Sequence, residues 1–242
     1  MKGRRAIPGI SPHREDEIRT QAQRELNKLW EMRDNFQLQT DDPEALVRIG
    51  PVAAIQSLFH FKVEHIEEIP SDNAGFEIAG IIDRHVKQIT IARKFPLPSR
   101  RFTLAHELGH LVLHPGRVYH RDRPINGGEH LDRRRSTVER EADLFGAEFL
   151  MPTKLLTKVF ITSFGGRMNG SDADDNICYY LSQATCRRIT PRDYRAMRVL
   201  DRAKIFAEIS NFGATCFSPL IERFRVSKVA MAIQLQDIGL VT

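Results

Sequence analysis

Cysteine is scarce in this 242-residue chain, and the three present, Cys178, Cys186 and Cys216, are odd in number and lack Cys-x-x-Cys spacing. That excludes a disulfide framework and a thiolate metal site, and it fits reduced thiols in the cytoplasm. Long apolar runs are also missing. No stretch approaches the roughly 18 residues of a membrane helix, and the basic start Met1-Lys2-Gly3-Arg4-Arg5 is not followed by a hydrophobic signal core. A cytoplasmic protein with no membrane partner is expected. Hydrophobic residues still make up 41% of the chain, enough for a buried core, so wholesale disorder is excluded.

The periodicity of the apolar residues organises what remains. Across 13–36, Ile18, Ala22, Leu26, Leu29, Trp30 and Arg33 recur at helical intervals and predict an amphipathic helix. A second helix is expected over 43–60, opened by Asp41-Asp42-Pro43 and broken at Gly50-Pro51. The pattern then becomes β-rich over 75–82 and 87–93, with Asp83-Arg84-His85 as a turn, so a hairpin should lead into the next helix. An exposed strand of that hairpin would suit an extended peptide, which can add to a sheet edge.

That next helix, 99–113, is expected to be capped by Ser99 and to stop at Pro115-Gly116. Phe102, Ala105, Leu108 and Val112 would face the core, and Thr103, His106, Glu107 and His110 would share another stripe. His106-Glu107-Leu108-Gly109-His110 sets two imidazoles one turn apart with a carboxylate beside them, the pattern of a zinc site with its own base. Zinc held by protein needs a third ligand. His114 is about 12 Å of helical rise from His106, too far to share one ion, and reads as a helix end or a pocket wall. The long metzincin pattern is excluded, since Leu113 and Gly116 stand where it needs Gly and His.

The better donor lies in a second helix, capped by Ser136 or Thr137 and ended at Pro152. Glu139, Asp143 and Gly146 occupy one stripe, with Ala142 and Ala147 beside it, so this helix can approach the first closely. Glu139 is preferred over Glu141 as third ligand. Asp143 is placed to accept the second ring N–H of a ligating histidine. Glu141 projects about 200° away, towards Glu148, and is expected to be solvated. The intervening 117–135, rich in Arg, Gly and Asp, reads as a loop rimming a cleft, with His120 and His130 solvated and Tyr119, His120 or His130 available to an oxyanion. The chemistry predicted is metal-assisted hydrolysis with Glu107 as general base and proton shuttle.

HELGHLVLHP, the downstream EREADLFGAEFLMP and the terminal ERFRVSKVAMAIQLQDIGLV together resemble the ImmA/IrrE family of bacterial zinc metallopeptidases. The resemblance covers roughly 40–155 and, less closely, the last 25 residues. It implies a zincin-like, gluzincin-type core with His106, His110 and Glu139 as zinc ligands and Glu107 as the catalytic glutamate. It also implies a role in stress response or transcriptional regulation, through cleavage of a helix-turn-helix repressor.

After Pro152 the character shifts. Asp172-Ala173-Asp174-Asp175-Asn176 lacks the Gly and Glu of a calcium loop and reads as a helix cap. Residues 177–206 look helical, and 187–204 hold seven basic and two acidic residues, a basic face for phosphates, for an acidic partner or simply for solvent. Residues 218–224 and 227–236 pattern as a helix-turn-helix, with two departures: Ile221 where a small residue lets the helices close, and Arg225 where the turn favours Gly. Direct DNA binding is therefore disfavoured. The fold expected is α+β: an N-terminal helical extension (1–40), a zinc metallopeptidase domain (41–160) with a small, mostly antiparallel sheet, and a helical region (161–242) with a helix-turn-helix-like end at 217–237. The competing function is a non-catalytic regulator or toxin-like protein that uses the zinc-bearing fold to bind a partner or DNA, and hydrolysis of a non-peptide substrate is a third. A scaffold without turnover has no need of Glu107, which favours the peptidase.

Overall fold

The computed structural model describes residues 7–37, 42, 44–70, 77–116, 119–122 and 136–242, with the backbone course alone for 119–122. The described residues divide into two compact units, Ile7–Pro152 and Thr153–Thr242. Helix α1 (Pro12–Glu31) starts where Ser11 accepts a hydrogen bond from the Arg14 N–H, with Pro12 in the first turn. It buries Ile18, Ala22, Leu26 and Leu29 along one stripe. Arg19 donates to Glu148 of helix α4 (Thr137–Leu150) at 2.7 Å with both side chains buried, so α1 is part of the first unit. A paired charge of this kind tolerates burial, whereas removing one partner costs about 3–5 kcal/mol.

Helix α2 (Ala45–Phe59) bends at Gly50, whose φ of 74° a residue with a Cβ rarely adopts, just before Pro51. Strands β1 (Lys62–Ile66), β2 (Gly80–Asp83), β3 (Gln88–Ala92) and β4 (Tyr119–Asp122) form one sheet in the order β1-β3-β2-β4. β1 runs parallel to β3, with Val63 opposite Ile89, and the other two pairings are antiparallel. The hairpin turn occupies Arg84 to Lys87, one step later than its residue types suggest, because the Asp83 carboxylate accepts from the His85 and Val86 N–H groups. Both hairpin strands lie inside the sheet. The edges belong to β1 and β4, neither of which is apparent in the sequence: β1 alternates Lys62 and Glu64 with Val63, and β4 falls within the stretch read as a polar loop.

Helix α3 (Leu97–Leu113) is capped by Pro96 rather than Ser99, and Pro98 is accommodated in the first turn, where its missing N–H is not needed. Every residue from Thr103 to Leu111 is buried, so the stripe carrying His106, Glu107 and His110 is as dry as the core stripe, while Phe102 and Val112 are only half-buried. α3 runs through the middle of its unit, between the sheet and α4.

In the second unit, the segment expected as one helix over 177–206 is three: α6 (Asp175–Thr185), α7 (Pro191–Ala196) and α8 (Val199–Glu208), after α5 (Thr153–Phe164). Cys186 turns left-handed at φ 50°, and Thr190 with Asp193 forms a capping box that starts α7 at Pro191. Asp174 caps α6 by accepting from the Ile177 N–H at 2.7 Å. Phe164 is the hub of the core, with ring centroids 5.2–5.4 Å from Phe206, Phe212 and Phe217. The expected basic face is interrupted. Arg202 turns inward to the Tyr194 and Thr242 carbonyls, and Arg198 and Lys204 both pair with Asp201. The last helices, α9 (Leu220–Phe224) and α10 (Lys228–Asp237), are joined through Arg225 at φ 52°, and α9 is little more than one turn.

Tyr194 is fully buried, its hydroxyl finds no hydrogen-bond partner among the described residues, and burial pushes its phenol up to about 12 against the opposing Arg202 guanidinium over the ring. A phenol raised in the folded state contributes stability that is intact below its ordinary pKa of about 10 and is lost as pH climbs from there through about 12. Tyr194→Phe is expected to gain about 1 kcal/mol at neutral pH by removing a buried unpaired hydroxyl. It should also unfold less steeply than wild type across that alkaline window, as chemical denaturation at a series of pH values would show. Parallel wild-type and variant curves would contradict this.

Candidate metal centre

The site begins with a helix crossing built from small residues. A Cβ added to Gly109 of α3 would stand 3.1 Å from both the Cα and the carbonyl oxygen of Ala142 on α4, and one added to Gly146 would stand 3.2 Å from the Ala105 carbonyl carbon and the His106 nitrogen. Ala105 and Gly109 are four apart, as are Ala142 and Gly146. Each helix therefore offers a smooth stripe to the other. Gly146 and Ala142 are visible from the sequence pattern of α4. Gly109 hides inside the His-Glu-x-x-His motif, where its i, i−4 relation to Ala105 is the available signal.

The close approach brings three donors together. His106 Nε2 and His110 Nε2 lie 3.0 Å apart, and the Glu139 carboxylate reaches within 3.4 Å of the first and 3.9 Å of the second. Donor atoms around a tetrahedral ion with bonds of about 2.0–2.1 Å stand about 3.3 Å from one another, so these separations fit one divalent cation. Among the described residues, His106, His110 and Glu139 form the cluster able to hold a metal ion, their donor atoms all within 4.8 Å. Two imidazoles and one carboxylate are borderline-soft and hard donors suited to zinc, with room in the coordination sphere for a further ligand.

Asp143, one turn after Glu139, lies with Oδ1 2.9 Å from His106 Nδ1. As acceptor of the Nδ1–H it leaves Nε2 of a neutral ring as a lone pair facing the cluster. Glu107 is fully buried on the side of α3 facing β2, where a Cβ at Gly80 would come 3.3 Å from its Oε1 and 2.6 Å from Thr103 Cγ2. The absence of a side chain at position 80 is what gives the Glu107 carboxylate its space. Arg84, in the hairpin turn, donates to the His110 and His114 carbonyls at 2.6 and 3.2 Å, satisfying the end of α3 with a cation where the helix dipole is negative.

One expectation is overturned and a second is extended. Glu141 is not solvated: its oxygens accept from Arg14 Nε at 2.9 Å and Nη2 at 2.7 Å, because α1 covers that face of α4. Glu148, towards which it projects, is buried on Arg19 for the same reason. His114, the residue that ends α3, is too distant to join the donors but is not mere wall, since its Nδ1 lies 3.0 Å from His110 Nδ1 and its Nε2 3.0 Å from Glu141 Oε2. The His110-x-x-x-His114 spacing repeats that of His106 and His110 and signals the contact, whereas the partners on α1 are separated from it by about a hundred residues and leave no local mark. Arg14 holds the Glu141 carboxyl below its ordinary range, the His114 hydrogen bond adds to this, and burial opposes it. The side chains of Tyr119 and His120, and the whole of His130, fall outside the described residues.

Residues 70–165 match the family model of the peptidase M78 group, described as the IrrE N-terminal-like domain. The matched segment, which includes α3 and α4, is thus similar to a metallopeptidase domain of the ImmA/IrrE type. Comparison with curated proteins returned no match.

The crossing can be tested directly. Gly109→Ala and Gly146→Ala would each gain up to about 1 kcal/mol of helix propensity, against about 1–3 kcal/mol for overpacking. The Cβ meets backbone atoms that cannot rotate away, so net destabilisation of about 1–2 kcal/mol in urea unfolding is expected. Gly146→Ala should in addition weaken the hold of His106 on a divalent cation at this cluster, since it presses on the His106 backbone. Variants as stable as wild type would show that the helices are not at their closest approach here.

Proposed function

We propose that this protein is a zinc-dependent endopeptidase of the cytoplasm that cleaves a helix-turn-helix transcriptional repressor. The observation that carries the reading is the convergence of His106, His110 and Glu139 at 3.0–3.9 Å beside a buried Glu107. His106 and His110 would each hold zinc through Nε2 and Glu139 through its carboxylate. When bound, the ion supplies Lewis acidity and makes a coordinated water acidic enough to react near neutral pH. Glu107 then serves as the base that takes a proton at its carboxylate and returns it to the leaving amine. Its surroundings of β2 and the α3 core exclude bulk water, which strengthens its interaction with any charge developing nearby. Asp143 keeps the His106 proton on Nδ1 throughout.

A peptide is favoured over a smaller substrate by the sheet. Gly80, which borders Glu107, pairs with Asp122 of β4, and β4 is a terminal strand in the sheet order, placed to receive an extended chain. The repressor as substrate, and with it a regulatory or stress-response role, rests on the family resemblance. Direct DNA contact is not part of the proposal, because α9 is one short turn and Arg202, Arg198 and Lys204 are engaged within their own unit.

The zinc-loaded protein incubated with the regulator encoded beside its gene should produce a discrete cut. Glu107→Gln should keep one zinc per chain by elemental analysis while the cleavage rate drops by about 10²–10⁴-fold. Cleavage at the wild-type rate by the zinc-bound variant would remove Glu107 from the mechanism, and no cut in the regulator or in a broad peptide library would favour a binding role instead.

A further inference from the structure

The contacts on the far side of His110 extend well beyond the three donors. Arg14 of α1 grips Glu141 with a two-pronged fork, Nε to Oε1 at 2.9 Å and Nη2 to Oε2 at 2.7 Å. The same Oε2 lies 3.0 Å from His114 Nε2, and His114 Nδ1 lies 3.0 Å from His110 Nδ1. The side chains of His114 and Glu141 are only 10% and 12% exposed, so protein rather than water satisfies them.

The proton positions follow step by step. An ionised carboxylate only accepts, so His114 Nε2 must donate to Glu141. A neutral His114 then has a bare Nδ1, which accepts, so the proton between the two rings belongs to His110 Nδ1. That leaves His110 Nε2 as a lone pair, and Nε2 is the atom 3.0 Å from His106 Nε2 and 3.9 Å from Glu139. The opposite ring is set by a shorter device, Asp143 on His106 Nδ1 at 2.9 Å. Both imidazoles then present bare nitrogens to one point, an arrangement that repels unless a cation lies between them.

We infer that Arg14, Glu141 and His114 are positioning residues for the metal centre, a hydrogen-bonded relay through which helix α1 fixes the tautomer and orientation of His110. The inference rests on the reading of His106, His110 and Glu139 as metal donors, and it adds a function for α1, which lies outside the segment matched by the family model. A ligating histidine whose second nitrogen is held by an acceptor is a better and better-aimed donor, and loss of such a partner typically weakens metal binding by about 10–100-fold.

Two readouts test it. In the metal-free protein, ¹⁵N-resolved imidazole spectra should place the His110 proton on Nδ1, and in His114→Phe that preference should be lost. Zinc affinity, measured by competition with a chromophoric chelator, should fall about 10–100-fold in His114→Phe and in the isosteric Glu141→Gln, and by less in Arg14→Met. Arg19→Met is the control. It breaks a second α1–α4 ion pair, Arg19 with Glu148 at 2.7 Å, and should lower the melting temperature without moving the His110 proton or the affinity. Should His114→Phe fail to fold, Glu141→Gln decides. Zinc bound equally well by wild type, His114→Phe and Glu141→Gln, or a His110 proton on Nε2 in the metal-free wild type, would overturn the relay. A wild type that binds no zinc yet keeps the proton on His110 Nδ1 would instead overturn the metal reading and leave the relay in place.

Discussion

The distance between helices α3 and α4 governs everything at this site. Helices packed through ordinary side chains lie 8–10 Å apart, and a glutamate on one then competes with bulky neighbours to reach a histidine on the other. Here Gly109 lies on Ala142 and Gly146 on Ala105, so backbone meets backbone and the stripe bearing Glu139 and Asp143 is drawn against the stripe bearing His106 and His110. The consequence is geometric rather than energetic. One helix turn separates His106 from His110, one turn separates Glu139 from Asp143, and the two pairs can interlock only if the axes come this close. The donor and the acceptor that orients a donor are thus supplied together by a single face of α4.

Bringing α3 into the middle of its unit has an electrostatic cost. His106, Glu107, His110, Glu141, Glu148 and Arg19 are all buried, a density of ionisable groups that a core tolerates only with partners in place. Helix α1 supplies part of the compensation, Arg19 to Glu148 and Arg14 to Glu141, and Arg84 neutralises the carbonyl end of α3. These pairs do not add much net stability, because desolvation of each charge offsets most of the attraction. Their value lies in specifying one arrangement of carboxylates around α3, since an unpaired alternative would be far more costly.

How much of this was legible beforehand depended on the range of the interaction. Local devices read well: the cap offered at Ser136 or Thr137 and found at Ser136, the break at Gly50-Pro51, the hairpin, and the placement of Glu139 and Asp143 on one stripe all follow from spacing within a single element. The Ser99 cap misled because two prolines before it could themselves start the helix. Glu141 misled for a different reason. Helical projection gives the direction in which a side chain points but not what covers it, and the cover is Arg14, contributed from 127 residues away. Likewise the distance argument that removed His114 as a donor was sound for the ion and silent about the neighbouring ring. Strands β1 and β4 escaped because edge strands carry charge on one face and lack an apolar run.

The two imidazoles are therefore oriented by devices of unequal reach. His106 is set by Asp143, which rides on the same helix as Glu139, so any shift of α4 moves donor and orienting acceptor together and the geometry between them is preserved. His110 is tied through His114 and Glu141 to α1, so its setting depends on a third helix docking correctly. The described donors and their supports all lie within Ile7–Pro152, while Thr153–Thr242 builds its own core around Phe164. Since α1 buries Ile18, Ala22, Leu26 and Leu29 in that same first unit, the docking that completes the carboxylate pairs also completes the core. Assembly of the hydrophobic interior and alignment of the donors are then one event, and a partially docked α1 would leave buried carboxylates without their cations, a state disfavoured by the cost of an unpaired buried charge.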